Sequence, residues 1–326
     1  MIIHFHFHFL TTGVTRSVES VLETLNLKED TRVFGYGISK YKISLIELLK
    51  NISYNQNTIV HTHRNNETLF ALILRFFGGK FKLITTRHAE SIPSKATDYL
   101  ISKADQLISL SQKMAETLKS ESKIIGHGID THHFYYDPKK RTANSLKIIV
   151  VGRIRNAKGQ KDVMEAIAPL LFQNPNLTLQ FIGTVESPKY AEEIKSIASE
   201  SGVENQIFFV PQTSKIEEYY QESSVVVIAS HSEGFSLVCL EAMASGCITI
   251  ATEHVGIHSD VILNGINGFL FTKKSSIKLR KLLEEVFENP EELNPEVIRK
   301  TIVDNWSLTL ATQKLFDLYN DTRKIM

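Results

Sequence analysis

Cysteine is almost missing: the 326 residues hold only Cys239 and Cys247. Two thiols so close together support neither a disulfide framework nor a cysteine-built zinc site, and they fit a reducing compartment. Long apolar runs are missing as well, since no stretch approaches the ~20 residues of a membrane span. The opening residues 1–10 have no basic flank and too short an apolar run for a signal peptide, so a cytoplasmic protein is expected. There is no excess of one charge, with 37 Lys and Arg against 36 Asp and Glu, and no acidic or basic tail. That balance excludes bulk affinity for nucleic acid. Internal repeats and low-complexity segments are not seen either.

What remains is an ordinary globular composition, 42% hydrophobic and 22% charged, in a chain longer than a single core usually grows. Two domains are expected. The charge is unevenly divided: residues 1–140 carry 18 Lys and Arg against 13 Asp and Glu, the remainder 19 against 23, so the amino-terminal half is the basic one. Strand-like and helix-like segments alternate. Strands are expected at 31–35, 58–61, 81–86, 106–109 and 123–125, with helices at 40–51, 66–77, 94–103 and 111–120. Such alternation predicts parallel sheets covered on both faces, with ligands at the carboxyl ends of the strands.

The organising stretch is 231–246. The apolar run 225–229 reads as a buried strand, Ser232-Glu233-Gly234-Phe235-Ser236 as a tight loop, and 237–244 as a helix. A strand, a glycine loop and a helix start make a site for an anion, because the first amides of the helix lack partners and carry the positive end of its dipole. Glu233 and Glu241 bracket that site. At ~1.5 Å per residue they stand up to about 12 Å apart, too far for the nucleophile and acid of a retaining glycosidase, which sit ~5 Å apart. The spacing suits two hydroxylated rings on either side of a diphosphate. Upstream, a buried strand at 146–151 ends in Gly152, and Arg153 and Lys158 follow on a short loop before Gly159 and a helix. Two cations beside a glycine and a helix start are what a departing diphosphate needs.

Residues 233–246 with Gly234-Phe235 and Ala242-Met243-Ala244-Ser245-Gly246 resemble the Glu-x7-Glu motif of glycosyltransferase family 4, the retaining nucleotide-sugar glycosyltransferases. The resemblance implies that Glu233 contacts the transferred sugar and Glu241 the ribose. It implies the same of a Gly-Arg-x-x-x-x-Lys-Gly pattern, matched by Gly152, Arg153, Lys158 and Gly159, whose Arg and Lys bind the diphosphate. Gly234, Phe235, Ser236 and Leu237 then line the donor at the helix start. The implied fold is GT-B, two Rossmann-like α/β domains with parallel sheets facing across a cleft: 1–140 for the acceptor, 146–305 for the donor, and a helix at 306–326 crossing back. Family members place a histidine against the 6-hydroxyl of the sugar, and His88 is the best match. Gly13, Arg16, His61, His63 and Glu90 are the acceptor-side candidates. The turn 125–134 resembles the family's Asn-Gly-Val-Asp segment, with His127 where Asn is usual, a departure shared with lipopolysaccharide core mannosyltransferases.

The implied reaction moves a hexose from a nucleotide sugar, with GDP-mannose preferred over a UDP-linked donor, to a hydroxyl of a glycan or glycolipid. No metal and no further cofactor is implied. Segments 40–43 and 72–82 mix aromatic and basic residues, a composition that suits peripheral contact with the anionic inner membrane. A second class of function is a metal-dependent hydrolase. The strict alternation His4-Phe5-His6-Phe7-His8-Phe9 has a strand period, and its histidines with His61 and His63 offer His-x-His pairs. The alternative for them is hydrogen bonding under a helix. A third class is a sugar-nucleotide binder without catalysis.

Overall fold

The computed structural model describes residues 1–10, 12–54, 57–141, 147–289 and 293–324. Thr11 of the first loop and Leu146 at the expected start of the donor domain lie outside them. Two compact units result, Met1–Gly128 with Leu308–Met326, and Ile129–Ser307.

The first unit holds β1 (Ile2–Phe7), β2 (Thr31–Tyr36), β3 (Ile59–Thr62), β4 (Lys82–Arg87), β5 (Gln106–Ser109) and β6 (Lys123–Ile124). They form one sheet in the order β2-β1-β3-β4-β5-β6, every pair parallel. The period of two in β1 sorts its side chains. Ile3 and Phe5 join Phe7, Phe34 and Phe70 on one face, while Ile2 joins Ile59, Ile84, Leu315, Leu318 and Tyr319 on the other. Both faces are covered, as a parallel sheet requires.

The helix Leu308–Lys324 covers the second of these faces. Its end is tied by Arg323, whose guanidinium donates to Glu29 at 2.8 and 2.6 Å and to the Asn57 carbonyl at 2.9 Å. Arg323→Ala is expected to lower stability by about 2 kcal/mol, the worth of charge-assisted hydrogen bonds at a part-buried site. Urea unfolding reads this, and an unchanged midpoint would mean that the apolar face alone holds the helix.

The helix expected at 40–51 begins only at Leu45 and runs to Tyr54. Residues 41–43 turn and run beside β2 instead, Tyr41 in the left-handed region (φ +56°) and Lys42 bridged to Val33, because Val33 donates to the Tyr41 carbonyl and accepts from the Ile43 amide, each at 2.9 Å. Ser44 and Glu47 then exchange bonds between side chain and backbone, a capping box that starts the helix one residue later. The helix expected from 306 begins two residues later: Pro295–Trp306 stops where Ser307 turns extended, and Leu308–Lys324 follows.

The second unit holds β7 (Lys147–Val151), β8 (Thr178–Ile182), β9 (Ile207–Val210), β10 (Val225–Ile228), β11 (Ile248–Thr252) and β12 (Phe269–Phe271). Their order is β12-β11-β10-β7-β8-β9, again all parallel. β10 and β11 are buried throughout, which is why they read as unbroken apolar runs. Residues 129–141 belong to this unit. Arg299 donates to the Thr131 and Phe134 carbonyls at 2.7 and 2.8 Å, and Arg141 to those of Gly246 and Ser245 at 2.7 and 2.8 Å. In each sheet the strand order reverses once, between β1 and β3 and between β7 and β10. Ligands of open α/β sheets bind outside the carboxyl ends at such reversals.

Candidate active site

At the β7/β10 reversal, the loop after β7 meets the loop after β10 through an ion pair. Lys158 Nζ donates to Glu233 Oε1, and the Ser230 hydroxyl donates to the same oxygen at 2.7 Å. Both charged side chains are largely buried, 16% and 13% exposed. Burial by itself raises the Glu233 carboxyl. The charge and hydrogen bond of Lys158 and the Ser230 hydroxyl outweigh it and hold the group below its ordinary value.

Two glycines flank this meeting, and Gly159 is the one it requires. A Cβ on Gly152 would touch the stem of Lys158, so the side chain lies across the end of β7. Gly159 is left-handed (φ +66°) and stands so close to the chain leaving β10 that a Cβ would come within 2.0 Å of the Ala229 carbonyl oxygen. The two loops are further joined by His231, whose amide donates to the Ala157 carbonyl at 2.9 Å and whose ring meets Asp162 at 2.6 Å.

The loop that precedes the helix Leu237–Ala244 turns at Ser236, which is left-handed (φ +89°) although it is not glycine. Such strain persists only where neighbours hold it. Here His258 does so. Its Nδ1 donates to the Thr252 carbonyl at 2.8 Å, which leaves Nε2 to accept from the Ser236 hydroxyl at 2.9 Å. With its side chain engaged there, Ser236 gives the helix no side-chain cap. Ile257 meanwhile donates to the Phe235 carbonyl at 2.9 Å, and Gly234 is exposed. His258 is the residue of this site that sequence reasoning missed. Its position in a turn beside a glycine was the only signal.

Glu241 lies deeper and is buried, accepting from the Tyr220 hydroxyl at 2.8 Å. Arg153 does not join Lys158. Its side chain is 59% exposed and pairs at 2.8 Å with Glu186, which also takes Arg155 at 3.2 Å. The structure thus joins Lys158 to Glu233, while Arg153 and Glu241 have partners of their own.

In the first unit, His63 and His88 are hydrogen-bonded to each other at 3.2 Å. Burial, followed by the charges of His127 and Arg64, holds His88 well below its ordinary value, so its ring is neutral. His61 is buried beneath the carboxyl-terminal helix, its two nitrogens at 2.7 Å from Tyr319 Oη and from Thr86 Oγ1. With both nitrogens so engaged, it holds the unit together and has none for an acceptor. Gly13 and Arg16 are exposed at the start of the helix Gly13–Asn26, and Glu90 pairs with Lys113 at 3.2 Å. A cavity of about 40 Å³, room for a water molecule, adjoins His4, His61, His63 and His127. Glu67 is a second residue missed: fully buried, it accepts from the amides of Phe7, His63 and Arg64 at 2.9, 2.7 and 3.0 Å and joins the ends of β1 and β3. Sequence gave little signal for it, since Arg64 stands where a capping Ser or Thr would mark the box.

The model of the family described as glycosyl transferases group 1 matches residues 136–301, just over half of the chain and the whole of the Lys158–Glu233 site. The chain belongs to the group 1 glycosyl transferases. Among its relatives is the lipopolysaccharide core biosynthesis mannosyltransferase LpsB of Rhizobium meliloti (strain 1021), 28% identical over 276 residues, which are 78% of this chain and 77% of that protein. Among solved structures, a glycosyltransferase from Rickettsia africae ESF-5 superposes with a TM-score of 0.82 at 19% identity, covering 100% of this chain and 99% of that one. HepE from Anabaena, in complex with UDP and glucose, does so with a TM-score of 0.78 at 17% identity, covering 98% and 99%. This glycosyl transferase therefore has the GT-B fold, each unit carrying one of its two six-stranded parallel sheets. No helix among the described residues is long and apolar enough to cross a membrane.

Proposed function

We propose that this glycosyl transferase is a retaining hexosyltransferase of family 4 that moves mannose from GDP-mannose to a hydroxyl of a lipopolysaccharide or other cell-surface glycan. The observation that carries the proposal is the Lys158–Glu233 pair on the loops after β7 and β10, where the strand order reverses. A diphosphate carries more charge than one carboxylate and draws Lys158 to itself. Glu233, released from its counter-ion, then offers two acceptor oxygens to the hydroxyls of the sugar. The amides at the start of the helix Leu237–Ala244 complement the charge that grows as the glycosidic bond breaks.

The leaving phosphate oxygen takes the proton of the attacking hydroxyl on the same face of the sugar, so no protein nucleophile and no metal is required. Arg153 reaches the diphosphate by exchanging Glu186 for it, Glu241 holds the ribose, and His88 contacts the sugar. Gly13, Arg16 and Glu90 are assigned to the acceptor; His63, whose two ring nitrogens are taken by His88 and His4, is not. The choice of mannose is supported by the likeness to LpsB, a core mannosyltransferase. Contact with an anionic membrane surface is supported by Phe76 and Phe77, which are 85% and 81% exposed in the basic first unit.

A panel of nucleotides and nucleotide sugars, scored by thermal shift and by slow donor hydrolysis, tests the donor. GDP and GDP-mannose are expected to raise the melting temperature by several degrees, and chelator to leave transfer unchanged. Stabilisation by UDP and not by GDP would overturn the donor assignment, and activity lost to chelator would favour the hydrolase.

A further inference from the structure

At the β1/β3 reversal of the first unit, six side chains form an unbroken line of hydrogen bonds. His88 Nε2 lies 3.2 Å from His63 Nδ1, and His63 Nε2 lies 3.1 Å from His4 Nδ1. His4 Nε2 lies 3.4 Å from Tyr319 Oη, which lies 2.7 Å from His61 Nδ1. His61 Nε2 ends the line 2.7 Å from Thr86 Oγ1. Burial, the first cause in every case, holds His4 down to about 3 and His61, His63 and His88 well below their ordinary value. Each ring is therefore neutral near pH 7, with one N–H and one lone pair.

That restriction leaves the line two self-consistent states. In one, every ring carries its proton on Nε2 and the bonds run from His88 to Thr86; in the other, every ring carries it on Nδ1 and the direction reverses. One bond at Tyr319 decides between them. An O–H donor makes a shorter bond than an N–H donor, about 2.7–2.8 against 2.9–3.0 Å. His61 stands 2.7 Å from both Thr86 and Tyr319 and donates one of these bonds and accepts the other in either state, so their lengths cancel. The 3.4 Å bond to His4 chooses, being too long for an O–H donor, so Tyr319 accepts from His4 and donates to His61. His4 is then protonated on Nε2, accepts at Nδ1 from His63, and His63 in turn accepts from His88.

Nitrogens of His4, His61 and His63 also lie within 4.8 Å of one another, as a metal site would require. The His4 and His63 rings, however, are within 9° of parallel with centroids 5.4 Å apart and nitrogens 3.1 Å apart. The difference is close to two ring radii, so the nitrogens point at each other along one line. Two nitrogens on a tetrahedral zinc converge on the metal at roughly 109° to one another and do not face along one line. This pair is spaced for a proton.

We propose that Tyr319, acting through His4 and His63, holds His88 as its Nε2–H tautomer, so that His88 presents a bare Nδ1, an acceptor only, to a hydroxyl of its ligand. Tyr319, His4 and His63 are positioning residues in this scheme, and the ligand-facing role of His88 rests on the sugar contact proposed above. His88 Nδ1 has no hydrogen-bond partner among the described residues, and His127 stacks on the ring at 5.3 Å and 19°. The tautomer of a histidine is set by what its other nitrogen bonds, and here that bond is governed from the carboxyl-terminal helix.

Long-range proton–nitrogen correlation on the full chain with labelled histidine reads the tautomers directly. His4, His63 and His88 are expected to show the Nε2–H pattern without ligand. In Tyr319→Phe, His4 loses its acceptor, His88 is expected to become a mixture of both tautomers, and kcat to fall roughly fivefold to tenfold, the worth of one neutral hydrogen bond, with KM for the donor unchanged. An Nδ1–H His88 in the unaltered protein, an unmixed Nε2–H His88 in Tyr319→Phe, or stoichiometric zinc in the purified protein would each overturn the proposal. The first of these measurements needs no variant to fold. Full activity in His88→Ala overturns the ligand-facing role and leaves the tautomer result standing, which separates the two failures.

Discussion

Lys158→Ala is expected to lower kcat at saturating donor by about two to three orders of magnitude, the loss typical when one group that stabilises developing charge is removed. The size of the effect follows from burial. Lys158 is 16% exposed beside Gly152, in a setting where water screens little of its attraction for a departing diphosphate. The same variant leaves Glu233 buried without its counter-ion. Its carboxyl, now held below the ordinary range, loses the charge and hydrogen bond of Lys158, keeps only the Ser230 hydroxyl and the charge of His258 against burial, the largest single cause, and rises. A depressed carboxyl contributes stability above its unfolded pKa and loses it as pH falls through the folded one. Without Lys158 that contribution turns into a cost near neutrality, of about 3 kcal/mol for a buried ion that has lost its partner. Glu233→Gln added to Lys158→Ala is expected to recover most of the stability and none of the activity. Initial rates of transfer and of donor hydrolysis, with thermal melts alongside, read both effects. Wild-type rates in Lys158→Ala would remove the diphosphate assignment.

Much of this site was legible from residue order. Strands β7, β10 and β11 are short apolar runs, each leading into a glycine-bearing loop, so the chain itself announces where they end and where ligand-facing loops begin. The period of two in β1 was equally plain, and it placed His4 and Phe5 on opposite faces. What order along the chain does not carry is the direction in which a side chain reaches. Arg153 and Lys158 share one loop and one charge, yet Arg153 pairs with Glu186 in the open while Lys158 pairs with Glu233, 75 positions away. The support of Ser236 by His258, and of His61 by Tyr319 from the far end of the chain, are contacts of the same kind. Residues 41–43 were misread because tertiary pairing with β2 overrode their local helical pattern. Ser236 was unreadable for another reason, since a left-handed residue other than glycine betrays itself only through the neighbours that hold it.

Gly159 separates what the local backbone demands from what the neighbouring strand demands. Gly159→Ala is expected to cost more than about 3 kcal/mol and to lower kcat by about a hundredfold, because a loop shifted by an ångström no longer presents Lys158 in register. Two penalties combine there. The left-handed conformation, φ +66°, disfavours any Cβ by about 1–2 kcal/mol. The second is steric: the new carbon would come within 2.0 Å of the Ala229 carbonyl oxygen, and that backbone directly follows β10, which is buried and paired on both sides. Gly202 isolates the first penalty. Its φ is +68°, yet a Cβ there meets nothing within 4 Å. Gly202→Ala is expected to cost about 1 kcal/mol and leave turnover unchanged. Thermal melts of the two variants, with kcat and KM measured separately, give the difference. If Gly159→Ala costs no more than Gly202→Ala, the close approach to Ala229 does not position the loop, and another contact must hold Lys158 against Glu233.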